Sequence, residues 1–349
     1  MTETRMRAYV KTAAGPGEQL LKVPLPEPPD AGEVVVKVKA TSICGTDLHI
    51  HLWDGWSAIR VKPPRIMGHE FTGEVISIGP GVSAVKVGSC VTGESHWTCG
   101  YCLQCRLGQQ HVCAQTKILG VDVDGCFAEF VKVPQGSLWV NLPDVPTKLA
   151  CIQDPLGNAV HAVMSGPVAG CRVAVLGCGP IGIFAVAVAR SAGASHVFAT
   201  DLSSYRLKLA SELGADETGH PQSDDIERLS QAQTNGIGFD AVFEMSGAPA
   251  AIRQAMRICR RGGRVVLMGI PSSRVDLDIA EDMIFKGLEI QCVVGRRLYQ
   301  TWQTMHELLA SGRLNVLPTI THELPFSELP EGMELMRRGE CGKVVFHAD

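Results

Sequence analysis

The sequence predicts an α/β protein in two parts, a β-rich N-terminal barrel and a doubly wound parallel sheet. Three observations carry this expectation. The stretch before Leu156 alternates apolar and polar residues with the period of a strand, and glycine and proline recur at short intervals. After Leu156 short apolar runs alternate with helical ones. The first of those junctions carries glycines at 177, 179 and 182.

In chain order, Glu33–Ala40 (EVVVKVKA) and Phe71–Ile78 (FTGEVISI) read as strands, Gly79-Pro80-Gly81 as a turn, and Val85–Val91 as entry into a further strand. Such spacing fits a small barrel better than a helix bundle. Arg172–Leu176 (RVAVL) is a short apolar strand, followed by a helix over Pro180–Ala192 and a strand at His196–Thr200. The alternation continues with a helix at Tyr205–Leu213, a strand at Asp240–Glu244, a helix at Pro249–Ile258 and a strand at Arg264–Gly269. The tail has helical pieces around Trp302–Ala310 and Phe326–Arg338 and one strand at Lys343–Phe346. A lone terminal strand has nothing to pair with locally, so the tail is expected to return to the N-terminal part. The domain boundaries expected are 1–158, 159–297 and a returning segment 298–349.

With 349 residues there is enough chain for two domains with cores. A hydrophobic fraction of 45% and a charged fraction of 19% describe a globular protein, not a disordered one. The net charge of -4 and the lack of any Lys/Arg cluster argue against nucleic acid and anionic membrane as partners. Apolar runs are broken well short of a membrane span. The thirteen cysteines are odd in number and follow no secretory leader, which points to reduced thiols and the cytoplasm.

Four of those cysteines, Cys99, Cys102, Cys105 and Cys113, form C-x2-C-x2-C-x7-C within a lobe at about residues 93–115. Four thiolates on one short loop can close a tetrahedral shell around zinc and leave no open position, so this metal is expected to be structural. The bacterial iron–sulfur run C-x2-C-x2-C-x3-C-P differs in its last gap and lacks its proline here. A cluster and metal-free thiols remain the alternatives.

Gly177-Cys178-Gly179-Pro180-Ile181-Gly182 is G-x-G-x-x-G, directly after a strand and opening a helix. The first glycine permits the turn, the second lets the backbone approach a pyrophosphate, and the third allows close helix packing. The helix N-terminus attracts the phosphate charge. Asp201 ends the next strand, 19 residues after Gly182, where a carboxylate takes ribose hydroxyls and repels a 2′-phosphate. NAD is thus expected over NADP. Arg206 is a counter-argument, because an arginine there can accept that phosphate, and Asp201 could instead simply cap a helix.

Cys44, His69 and Asp154 together would give a mixed shell of three protein ligands with one open position, suited to zinc acting as a Lewis acid. Glu70 beside His69 is either an outer partner or a fourth ligand. Singly, each is better explained as a buried thiol or a satisfied polar pair.

Their combination is informative. Nearly the whole chain resembles the zinc-dependent medium-chain alcohol dehydrogenases in Cys44-Gly45-Thr46-Asp47, Gly68-His69-Glu70, the four-cysteine lobe and the Gly177–Gly182 loop. Within that superfamily it is most similar to the threonine dehydrogenase branch, through CGTDLHIHLWDGWS (44–57), GESHWTCGYC (93–102), DPLGNAVH (154–161), FEMSGAPAA (243–251) and IFKGLEI (284–290). The resemblance implies a GroES-like catalytic barrel, a Rossmann domain and a homotetramer, with one catalytic and one structural zinc per subunit. It implies catalytic zinc on Cys44, His69 and Asp154 with Glu70 close by, and a proton path through Thr46 and the cofactor ribose to His49. Hydride would pass to NAD from the 3-hydroxyl carbon of L-threonine, giving 2-amino-3-ketobutyrate.

His96 matches the family histidine facing substrate, or is a solvated loop residue. Trp53 and Trp56 would close over a small substrate or pack a loop. Arg296 would meet the cofactor or a substrate carboxylate, or form a surface ion pair. The chain departs from the branch at Gly55 and Arg297, where acidic residues are usual, and at His51-Leu52. A polyol, a 2,3-diol or another β-hydroxy amino acid therefore stands as an alternative substrate. A zinc- and NAD-binding sensor without turnover is disfavoured by the intact Cys44, Thr46, His49, His69 and Asp154.

Overall fold

The computed structural model describes residues 4–271 and 273–348. The chain divides into two compact units. One contains the residues up to Pro155 with Ile320–Arg338 and the residues from Lys343; the other contains Leu156–Thr319 and Gly339–Gly342.

In the first unit β1 (Arg5–Lys11) and β2 (Gln19–Pro24) form an antiparallel ladder. In β3 (Glu33–Ser42) the alternation read from the sequence holds from Val36 to Ala40, where Val36, Val38 and Ala40 are buried and Lys37 and Lys39 face out, whereas Val34 and Val35 are both buried. Two short helices follow, α1 (Gly45–Leu52) and α2 (Gly55–Arg60). The two-residue β4 (Arg65–Ile66) pairs with β1. Next, β5 (Glu70–Ile78) pairs antiparallel with β3, and β6 (Cys90–Gly93) with β5. The expected strand entry at Val85 is instead a turn closed by Ser89 donating to the Lys86 carbonyl, with Gly88 at φ +86°, so the strand starts only at Cys90. The cysteine lobe holds β7 (His96–Trp97), α3 (Leu103–Arg106) and β8 (Lys117–Ile118). β9 (Phe130–Pro134) pairs with β3, and β10 (Leu138–Val140) with β6. The helices α4 (Thr147–Ala150) and α5 (Gln153–Val163) come next.

The second unit is one parallel sheet of β11 (Arg172–Leu176), β12 (His196–Thr200), β13 (Glu217–Gly219), β14 (Phe239–Glu244), β15 (Cys259–Leu267) and β16 (Glu289–Cys292), in the order β13-β12-β11-β14-β15-β16. The order reverses between β11 and β14, the switch point at which ligands bind in such sheets. Between strands run α6 (Pro180–Ser191), α7 (Ser204–Glu212), α8 (Ile226–Gln233) and α9 (Pro249–Ile258). Ala174, Phe198, Phe239 and Val265 pack with Ile252 and Met256 of α9, and the Phe198 and Phe239 rings stack at 5.7 Å.

The return of the tail begins later than residue 298. Residues 298–319, with α10 (Gln300–Ala310), belong to the second unit, where Trp302 and Met305 are fully buried. Only from Ile320 does the chain rejoin the first unit, as β17 (Ile320–Pro325), α11 (Leu329–Arg338) and β18 (Lys343–His347). There β18 pairs antiparallel with β3 and parallel with β17.

Candidate active site and nucleotide site

The ends of two paired strands build the metal pocket. Ser42 of β3 lies opposite Glu70 of β5, so the chain just beyond Ser42 meets the chain just before Glu70. This puts Cys44, the residue capping α1, beside His69. Gly68 sits at φ +90°, and a Cβ there would lie 2.2 Å from the Phe127 ring, so only glycine lets His69 take this place. Donor atoms of Cys44, His69 and Glu70 all lie within 4.8 Å of one another.

The pocket is largely buried and rich in carboxylates. Asp47, fully buried, accepts from the Cys44 backbone N–H at 2.9 Å and faces His69 Nδ1 with Oδ1 at 3.4 Å. At that length the latter contact is an ion pair and not a hydrogen bond. Among the described residues, three buried polar atoms here, Asp47 Oδ1, His69 Nδ1 and Glu70 Oε1, have no hydrogen-bond partner. Burial disfavours charged His69, but the neighbouring Asp47 and Cys44 outweigh it and raise its pKa well above the ordinary value. A cavity whose anionic donors favour a proton this strongly fits a cation, and Cys/His/carboxylate is a zinc-type set. With Nδ1 turned to Asp47, His69 has Nε2 left as the ligand atom.

Glu70 has a second neighbour that the sequence did not reveal. Lys343 of β18 donates to Glu70 Oε2 at 2.5 Å and to the Ile43 carbonyl at 2.6 Å, with both side chains wholly buried. Ser42 Oγ donates to the same carboxylate oxygen. Burial opposes the charge on Lys343, but Glu70 and Cys44 overcome it and raise its pKa.

Asp154 is not brought into this donor group. Its carboxylate accepts from the Ser95 N–H at 3.0 Å and the Ser95 hydroxyl at 3.3 Å. On α1, Thr46 and His49 are three residues apart and share a helix face. His96 places Nδ1 3.1 Å from Ser95 Oγ and 3.3 Å from Glu94 Oε1. Trp53 ends α1 in the left-handed region, at φ 56°. Arg296 is not a surface residue: it is 1% exposed, its Nη1 donates to Asn158 Oδ1 at 2.8 Å, and its stem lies against Gly157.

The four cysteines Cys99, Cys102, Cys105 and Cys113 do converge, with their sulfurs all within 4.8 Å. Two of the separations are 3.6 and 3.8 Å. Zinc–sulfur bonds of about 2.3 Å in a tetrahedron require sulfurs about 3.8 Å apart. Backbone N–H groups of Cys102 and Gln115 point at Sγ of Cys99 and Cys113, both at 3.3 Å. Backbone donors at Cys105 and Ala114 pull the Cys102 thiol down to about 6, a thiolate ready for metal.

In the second unit Gly177 is at φ +95° and turns the chain from β11 into α6. A Cβ on Gly182 would lie 1.8 Å from the Gly177 carbonyl, so that helix packs onto the loop only through glycine. A Cβ on Gly179 would meet nothing within 4 Å, the open approach a pyrophosphate needs. Asp201 accepts from the Cys178 N–H at 2.7 Å and the Ser203 N–H at 2.8 Å, which sets its carboxylate at the rim of the loop. Arg206, on α7, has its Nε buried without a hydrogen-bond partner among the described residues.

Comparison with known proteins gives these pockets a family. Residues 30–144 match the alcohol dehydrogenase GroES-like domain, and residues 180–311 match the zinc-binding dehydrogenases. The L-threonine 3-dehydrogenase of Bacillus licheniformis is 50% identical over 340 residues, which span 97% of this chain and 98% of that protein. The chain belongs to the L-threonine 3-dehydrogenase family. It is a zinc- and NAD-dependent alcohol dehydrogenase. Among solved structures, the alcohol dehydrogenase of Thermus sp. ATN1 superposes with a TM-score of 0.91 at 31% identity, covering 99% of this chain and 100% of that one. The 2R,3R-butanediol dehydrogenase of Bacillus subtilis does so with a TM-score of 0.89 at 27% identity and the same coverage. Among the described residues no helix is long and apolar enough to cross a membrane.

Proposed function

We propose that this family member oxidises the 3-hydroxyl of L-threonine to 2-amino-3-ketobutyrate and delivers the hydride to NAD. The observation that carries the reading is the buried pocket of Cys44, His69 and Glu70, with three unsatisfied polar atoms, in a chain similar over its length to threonine dehydrogenases.

When bound, zinc supplies Lewis acidity toward the hydroxyl and NAD supplies the hydride acceptor. Cys44 and His69 hold the metal, with a carboxylate as third ligand. Two carboxylates are candidates for that place: Glu70, already within the donor group, and Asp154, whose carboxylate accepts from Ser95. Thr46 takes the hydroxyl proton, and His49, one turn on and exposed, returns it to water. Asp201 receives the ribose hydroxyls at the Gly177–Gly182 loop and disfavours a 2′-phosphate, with Arg206 alongside. Cys99, Cys102, Cys105 and Cys113 hold the structural zinc. His96 and Trp53 face the substrate. Arg296 acts from its buried place on Asn158 by shaping the Gly157 segment.

The enzyme is a cytoplasmic homotetramer in this reading. Support for self-association comes from the edge strand β16, around which Ile270, Phe285 and Val294 are 81%, 62% and 53% exposed. Four cysteines gathered as thiols around a metal position fit a reducing compartment. Light scattering after gel filtration gives the subunit count directly.

Oxidation of a 2,3-diol is the second reading. It is favoured by the missing acidic side chains at Gly55 and Arg297 and by the shared fold with a butanediol dehydrogenase. Initial rates of NAD reduction on L-threonine, D-threonine, L-serine, 2,3-butanediol, sorbitol and xylitol decide between them. A preference for L-threonine in kcat/KM is expected. If threonine is inert while the diol turns over, the substrate assignment falls. Cys44→Ser abolishes turnover and spares NAD binding if the catalytic pocket is correctly placed.

A further inference from the structure

We propose that Asp54 is a positioning residue that holds His49 with Nδ1–H on its own carboxylate and leaves Nε2 as the proton acceptor. This rests on the reading of His49 as the proton exit. The backbone explains how the contact arises. Helix α1 ends at Trp53, a bulky non-glycine residue at φ 56°, ψ 51°, and such conformations persist only where surrounding contacts impose them. The reversal folds Asp54 back over the helix it has just left. Its N–H donates to the His49 carbonyl at 3.3 Å, and its Oδ2 lies 2.5 Å from His49 Nδ1. From below, Lys11 holds the turn: its ammonium lies 5.0 Å from the centre of the Trp53 ring, and it is wholly buried. Lys11 itself is fixed by the carbonyls of Gly15 and Gly17.

The two carboxylate oxygens of Asp54 have separate tasks. Oδ1 caps α2 by accepting from the Ser57 N–H at 2.9 Å, and Oδ2 meets the imidazole. The cap therefore locks the carboxylate in the orientation the imidazole uses. Burial raises the Asp54 pKa, but the Ser57 N–H and His49 prevail and lower it below the ordinary carboxylate range, so the group is ionised at neutral pH. An ionised carboxylate only accepts, so Nδ1 must carry the proton and Nε2 the lone pair. His49 makes no hydrogen bond through Nε2 among the described residues, and its side chain is 58% exposed, as a hand-over to water requires. The Trp56 ring, 6.2 Å away, bounds the imidazole on another side.

A plain helix cap would use Asp54 equally well, and two substitutions separate the roles. In Asp54→Asn the amide oxygen stays on the Ser57 N–H and the NH2 meets Nδ1, which forces the proton onto Nε2. Asp54→Ser keeps a good cap and frees the imidazole. With the zinc-loaded enzyme, kcat is expected to fall about tenfold in both, with KM values within about twofold and recovery in imidazole buffer. An independent readout is the rate at which diethyl pyrocarbonate labels His49, followed by peptide mass spectrometry. It is expected to slow about fivefold in Asp54→Asn, because Nε2 no longer offers a lone pair. Unchanged kcat together with unchanged labelling in both variants overturns the proposal and leaves Asp54 a cap. If His49→Gln keeps full kcat while labelling of His49 still slows in Asp54→Asn, the orientation by Asp54 stands and the reading of His49 as proton exit falls.

Discussion

Replacing Lys343 with methionine tests the electrostatics beneath the metal pocket most directly. Lys343 and Glu70 are both fully buried and joined by a 2.5 Å hydrogen bond, and the same ammonium also satisfies the Ile43 carbonyl. Methionine fills similar space but leaves Glu70 charged, out of water and held by Ser42 alone. Breaking a buried pair from one side costs about 3–5 kcal/mol, most of it the stranded charge. In a protein of this size that lowers Tm by roughly 5 °C. Thermal unfolding of the metal-free wild type, Lys343→Met, Glu70→Gln and the double variant, so that no zinc compensates Glu70, measures the pair. The double variant is expected to recover much of the loss, with a coupling of about 2 kcal/mol, since it removes both charges. A cost below about 1 kcal/mol for Lys343→Met, or strictly additive single losses, would refute the reasoning.

Burial holds the pKa of His306 down to about 4, whereas an unfolded histidine titrates near 6.5. Between those values the unfolded chain binds a proton that the folded chain refuses, so stability falls as pH drops from 6.5 to 4, by roughly 3 kcal/mol in full. Denaturant titrations across that window should show the slope in wild type and lose most of it in His306→Phe. Cys102→Ser opens the sulfur shell, and metal analysis is expected to show one zinc per subunit where wild type has two, with early proteolysis inside the 93–115 lobe. Retention of both ions would contradict the assignment. Gly182→Ala drives a methyl group to 1.8 Å from the Gly177 carbonyl, so calorimetry should give an NAD Kd weaker by about tenfold or more with zinc content unchanged.

What the sequence made legible was local. The strands at Arg172–Leu176 and His196–Thr200 lie where the apolar runs place them, because a parallel strand buried on both faces is written as an uninterrupted run. The glycine loop and the four cysteines were equally plain, since each motif is complete within a short segment. The strands Glu217–Gly219, Glu289–Cys292 and Ile320–Pro325 went unread, being short and carrying little apolar alternation. Helix α1 was hidden because its residues are chosen for the pocket and not for a helical stripe. Asp47 could have been found from its place three residues after the cap Cys44, where a carboxylate bonds back to the cap N–H. Lys343 could not, because no local pattern marks a lysine that will lie beneath a site 273 positions away. The Ser95 tie on Asp154 and the burial of Arg296 are likewise decided by tertiary packing.

The position of β18 also governs how this protein is made. Its pairing with β3 brings Lys343 to the Ile43 carbonyl across 300 positions of chain, with the whole parallel-sheet unit in between. The floor of the zinc pocket is thus the last piece to arrive during synthesis, and closing so long a loop is slow. A nascent chain already has Cys44 and His69 but not yet the Lys343 ammonium that Glu70 meets in the folded protein. A chain truncated before Lys343 keeps its nucleotide loop and loses the strand that pairs with both β3 and β17 in the first unit.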